Sequence, residues 1–84
     1  MSLDDEIFLT TYEHIQGRLS LRDLFEWVFD REPYWGESAA GKDSAKLANA
    51  IELVVLEVQA GDRDEASARE VIAEELAQLT ASRP

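Results

Sequence analysis

Residues 17–35 read GRLSLRDLFEWVFDREPYW: a glycine, a helix start, an apolar run at helical spacing and a proline stop in close succession. Ser20 precedes the run and Asp23 lies three residues on. The serine hydroxyl can then accept from a first-turn amide while the carboxylate reaches back, a variant of the capping box. Leu19 and Leu24 flank this cap at the spacing of a hydrophobic staple. Leu21, Leu24, Phe25 and Val28 follow the i, i+3, i+4, i+7 pattern of a buried helical face, which Trp27 and Phe29 widen. Pro33 disfavours helical backbone at Glu32, so the spacing predicts a helix over 21–31.

Upstream, an acidic first turn (Asp4, Asp5, Glu6) complements the dipole of a helix predicted over 3–16, with Ser2 as its cap. Phe8, Tyr12 and Ile15 recur at helical spacing, with Ile7 and Leu9 beside them. Gly17 suits the left-handed residue that closes a helix. The cap at Ser20 follows so soon that the first two helices form a tight hairpin. Downstream, a loop over 33–43 begins with the adjacent rings of Tyr34 and Trp35. A third helix is predicted over 44–60, capped by Asp43 or Ser44. Its main face is Leu47, Ile51, Val54 and Val58, and Leu53, Val55 and Leu56 make its middle apolar nearly all round, which predicts burial on several sides. Gly61 closes it, and Asp62 with Glu65 offers a second capping box. A fourth helix over 63–80 carries Ala68, Ile72, Leu76 and Leu79 on one face, with Val71 beside them. Aligning Gly17 with Gly61 sets Ser20 against Asp64, although the side-chain register does not follow. The expectation is therefore one all-α domain over 1–84, four helices arranged as two packed helical hairpins.

Eighty-four residues suffice for one small core, and the eleven alanines limit how many large side chains fill it. Self-association would be one way to add buried area. The chain has no cysteine, which removes disulfides and thiolate metal sites and suits the reducing cytoplasm. No apolar run approaches the roughly 20 residues that span a bilayer. The net charge of −10 is spread along the chain and is densest in the first and last helices. That field disfavours nucleic acid and anionic membranes as partners and is compatible with a basic protein.

The motifs of catalysis and ligand binding are weak throughout. Residues 36–42, GESAAGK, fit a phosphate-binding loop only if Asp43 stands in the hydroxyl position, where its charge would repel phosphate. The segment before it is helical rather than a strand. DRDEASAREVIAE, from Asp62, opens like a calcium loop, but Ala66, Ser67 and Ala73 occupy the places of the fifth ligand, the turn glycine and the final glutamate. His14 is the only histidine and reads as a hydrogen-bonded boundary residue. No nucleophile motif is present, and no carboxylate pair is marked by an apolar setting. The expectation is no catalytic residue, no metal and no cofactor.

The remaining signal is the set of aromatic rings Trp27, Phe29, Tyr34 and Trp35. Tyr34 and Trp35 either fold back to close one end of the bundle or, with Trp27, form a partner-binding surface, tryptophan and tyrosine being enriched at interface hot spots.

HIQGRLSLRDLFEWVFD resembles small bacterial helical proteins in which a helix ends in G-[RK]-[LI]-S and restarts as L-x-x-L-x-x-W. Gly17, Arg18, Leu19, Ser20, Leu21, Leu24 and Trp27 match that pattern. The resemblance covers about a quarter of the chain, implies an all-helical fold and assigns no functional residue. The leading functional expectation is a non-enzymatic module that binds itself or a basic protein through Trp27, Tyr34 and Trp35. The alternative is an immunity- or antitoxin-like neutraliser of a basic protein, and a small enzyme without a recognisable motif stands behind both.

Overall fold

The computed structural model describes residues 3–35 and 42–81. They form four helices: α1 (Leu3–Ile15), α2 (Leu21–Phe29), α3 (Asp43–Gln59) and α4 (Glu65–Ala81), with no strand among the described residues. The all-α bundle expected from the sequence is the observed fold. Ser2 and the loop residues 36–41, which hold most of the GESAAGK match, lie outside the described residues.

The two hairpin turns are built alike. Gly17 and Gly61 adopt φ of +83° and +82°, backbone that side chains with a Cβ rarely take. At the first turn Arg18 donates its amide to Glu13 (2.9 Å) and Gly17 to His14 (3.0 Å). At the second, Asp62 donates to Glu57 (2.9 Å) and Gly61 to Val58 (3.1 Å). This pair of bonds is the Schellman motif, which satisfies carbonyls left over at a helix end. Each following helix then starts on a side-chain cap: Ser20 Oγ accepts from the Asp23 amide at 3.0 Å, and Asp64 Oδ1 accepts from the Ser67 amide at 2.7 Å. The cap of α4 is thus Asp64, the residue aligned with Ser20, and not Asp62. The acid nearest the first-turn amides takes the bond, and the helix begins two residues later than expected.

Two further boundaries differ from expectation. Lys42, in extended backbone with no side-chain capping bond, precedes α3, so neither Asp43 nor Ser44 caps it. Ser44 is instead drawn inward, where it is buried and donates its hydroxyl to Asp4. Helix α2 stops at Phe29 rather than Arg31, and Pro33 does not end regular structure but sits inside a short helical turn over 32–35. Proline lacks only an amide that a first turn does not use, so it starts this turn without strain. The turn is tied to Arg31 O by the amides of Tyr34 (3.0 Å) and Trp35 (3.4 Å).

The helices alternate in direction. α1 and α3 begin at the end where Asp4 meets Ser44, while α2 and α4 begin at the end of the two glycine turns. Each helix packs on its neighbours around the bundle, and α1 also touches α3 across the diagonal. The core is Ile7 from α1, Leu21, Leu24 and Val28 from α2, Leu47, Ile51 and Val54 from α3, and Ala68, Ile72 and Leu79 from α4. The face expected for α4 is the one that packs. On α1 the inward row is Ile7, Thr11 and His14, while Tyr12 and Leu9 face outward. Among the described residues no helix is long and apolar enough to cross a membrane.

Candidate interaction face

The aromatic residues close one end of the bundle. Trp35 is 3% exposed and donates its indole Nε1–H to Val28 O at 2.9 Å. The Tyr34 ring meets it edge-on at 5.0 Å, and the Tyr34 hydroxyl donates to Asp4 Oδ2 at 3.1 Å. Trp27 lies 6.2 Å from Trp35, and its other surroundings include the Arg31 guanidinium, 4.2 Å from the ring centroid. Arg31 is itself held by a 2.9 Å bond to Trp27 O. Of the three residues singled out from the sequence as partner-binding, Trp35 is therefore a core side chain, while Trp27 and Tyr34 are half-buried and already engaged. The fold-back alternative describes Tyr34 and Trp35.

Asp4 ties this end together. It accepts from Ser44 and Tyr34 and lies 3.5 Å from Lys42 Nζ. The Ser44 hydroxyl above all, with Tyr34 and Lys42 adding to it, holds the Asp4 carboxyl below the ordinary aspartate value against the opposing effect of burial. His14 is buried rather than at a boundary. Its Nδ1 lies 2.8 Å from Leu19 O, and because a carbonyl can only accept, Nδ1 carries the proton. The bond fixes the first hairpin turn to α1. Neither His14 Nε2 nor Thr11 Oγ1, one turn apart on the same helix face, has a hydrogen-bond partner among the described residues. No group of three His, Asp or Glu side chains converges among the described residues.

The exposed large apolar side chains lie elsewhere. Leu53 and Leu56 on α3 are 61% and 58% exposed, and Phe29 on α2 is 53% exposed. Phe29 stacks on half-buried Phe25 with ring centroids 5.6 Å apart. Phe25 in turn lines a cleft of about 340 Å³ between α2 and α3, with Leu21, Val55 and Val58 as its apolar walls. Arg22, Glu26, Gln59 and the first residue of α4, Glu65, form the polar rim. Arg22 and Glu26 are paired at 3.2 Å, so the rim is net negative. Leu56 stands three residues from Gln59, next to the polar rim rather than among the apolar walls.

Sequence reasoning placed Leu53 and Leu56 in the core and missed this face. The signal was their register. They share a stripe with Lys46, Asn49 and Ala60, all exposed, rather than with Leu47, Ile51, Val54 and Val58. An apolar majority in the middle of the helix concealed a polar row at its ends. Phe29, which both widens the helical face in the sequence and belongs to the clustered rings, is exposed where α2 stops.

No protein-family model, curated protein or solved structure matches the chain.

Proposed function

We propose that the protein is a non-enzymatic interaction module whose α2–α3 face docks an amphipathic helical segment of another protein. The observation that carries this reading is the continuity of exposed Phe29, stacked on Phe25, with an open apolar-walled cleft between the same two helices. Exposed apolar side chains gathered beside a groove and rimmed by polar groups are the features of a docking site, and a helix laid into a groove is a recurrent way to fill one. From Leu21 to Phe29, α2 rises about 12 Å, enough to seat about two turns of a helix with apolar anchors at i, i+3, i+4 and i+7.

The occupant is another protein rather than a second copy. A symmetric dimer through this face would set the same acidic rims against each other, on chains that each carry a net charge of −10. A partner with a basic flank suits that rim, which is also the chemistry of the neutraliser alternative. The test is a ¹⁵N NMR titration with an amphipathic helical peptide carrying leucine anchors and an uncharged glutamine flank. Amide shifts confined to residues 21–29 and 52–59, abolished by Phe29→Ser with Leu56→Ser, support the reading. Shifts elsewhere, or none, refute it.

A further inference from the structure

The polar groups on the rim of the α2–α3 cleft are not equivalent. Arg22 and Glu26 are paired with each other at 3.2 Å, and Gln59 carries no charge. Glu65 lines the same cleft, is exposed, and has no hydrogen bond or ion pair among the described residues. The cations nearest to it in sequence do not answer it. Arg63 is committed to Glu57 at 3.2 Å and to Ser67 Oγ at 2.8 Å, and Arg69, one turn further along α4, forms no ion pair with Glu65. The one uncompensated charge on the rim is therefore a carboxylate. It also has a fixed place along the face. α2 and α4 begin at the same end of the bundle, so Glu65 stands at the Leu21 end of the cleft, while exposed Phe29 closes α2 about 12 Å away. The face has an aromatic end and an acidic end.

We infer that Glu65 is the specificity element of the docking face, taking a lysine or arginine that lies two turns along the docked helix from an apolar anchor on Phe29. The inference rests on the docking reading above. About 12 Å is eight residues of helix, and side chains at i, i+4 and i+7 share one helical face. A row of two apolar residues and a cation at that spacing sets the first anchor on Phe29, the second in the cleft beside Phe25, and the cation at Glu65. The docked anchors exclude water from the cleft, so the ion pair at its rim is worth more than the same pair on an open surface. An acidic residue in that place meets the Glu65 and Glu26 carboxylates instead. A chain with a net charge of −10 attracts any basic peptide; Glu65 makes the choice depend on where the cation sits.

The test uses helical peptides of about 16 residues, a little over four turns, each with two leucines at i and i+4 and a single lysine. In one the lysine is at i+7, in line with the leucines; in its isomer the same lysine is moved two residues on, to the opposite face. A second pair carries the same row in the reverse chain order. Composition and net charge are identical throughout, so long-range attraction cancels. Binding to the full chain is measured by calorimetry and located by NMR. In at least one chain order the in-line peptide should bind about threefold more tightly than its isomer. Glu65→Gln should remove that advantage, and Glu65→Lys should transfer it to a peptide with glutamate in line. A carboxylate that only complements the start of α4 would not make affinity depend on the lysine's register. Glu70→Gln, an exposed acid further along α4, should leave the advantage intact.

An advantage that survives Glu65→Gln, or one that Glu70→Gln also removes, would overturn the inference. Equal binding of isomers in both chain orders, with shifts still centred on residues 21–29, would remove the specificity element and leave the docking face standing. No shift in α2 or α3 with any peptide would remove both.

Discussion

Replacing Trp35 by phenylalanine measures how far the aromatic end holds the bundle together. The indole is 3% exposed and its Nε1–H reaches Val28 O at 2.9 Å. Phenylalanine keeps a ring in the site but removes the nitrogen and two carbons. Losing two buried carbons costs about 1.6 kcal/mol at about 0.8 each. The lost hydrogen bond adds about 0.5–1 kcal/mol, towards the low end because Val28 O still accepts from the Arg31 amide at 3.1 Å. The edge contact with Tyr34 survives in part, so the total is about 2–3 kcal/mol. For a domain of this size that lowers the melting temperature by about 10–20 °C. Urea titration followed by far-ultraviolet circular dichroism reads the loss directly, and the slope of the transition should not change. Trp27→Phe is the control: that ring is half-buried and sits beside Arg31, and its replacement should cost no more than about 1 kcal/mol. A loss below about 0.5 kcal/mol in Trp35→Phe would refute the placement of the indole against Val28.

Thr11→Val removes a buried hydroxyl that has no partner, and should stabilise the fold by about 1 kcal/mol in the same urea assay; a loss of that size would mean the hydroxyl is hydrogen-bonded. Gly17→Ala and Gly61→Ala each force a Cβ into positive φ and should cost about 1–2 kcal/mol although no atom crowds either site; unchanged stability would show that the turn backbone relaxes away from this conformation. The Asp4 carboxyl is held below its ordinary value in the folded protein, so the unfolded chain binds its proton first as pH falls. Its contribution is therefore present above the ordinary aspartate value and is lost as pH drops through the folded value. Urea midpoints measured from about pH 2 to about pH 7 should fall less steeply on the acid side in Asp4→Asn than in the wild type; parallel curves would refute the network with Ser44, Tyr34 and Lys42.

What the sequence discloses most clearly is local. Gly17, Ser20, Gly61 and the row Ala68, Ile72, Leu76 act within one or two turns of their own positions, through backbone conformation, capping and face periodicity. Each occupies its expected place. The errors arise where the choice is made between helices. Asp62, Asp64 and Glu65 can all cap α4 chemically, and the Schellman turn at Gly61 decides which one faces the first-turn amides. Ser44 has the chemistry of a cap, but Asp4, forty residues earlier in the chain, draws it into a hydrogen bond across the bundle. Trp35 reads either as interface or as a ring folded back on the bundle end, and local spacing does not decide between them. The chain leaves α2 at Phe29 and turns back through Pro33, which brings the indole under Val28.

Helix α3 shows why the candidate face resisted a reading by composition. It packs on α1, α2 and α4, so most of its circumference must be apolar, and two more leucines look like an extension of that demand. Yet three packed neighbours still leave one open stripe, and Lys46, Asn49 and Ala60 mark where it runs. Leucine in such a stripe gains little folding energy, since burial rather than hydrophobicity is what stabilises. Leu53 and Leu56 thus stand together at exposed positions where neither serves the fold. That is the pattern expected when a surface is shaped by what binds it, because stability withheld from the free protein becomes available on docking. Polar substitution of Leu56 should accordingly leave the urea midpoint nearly unchanged, within about 0.5 kcal/mol, while abolishing peptide shifts at Phe25 and Val55. A large loss of stability would instead make Leu56 part of the core and remove the reason for placing a partner on this face.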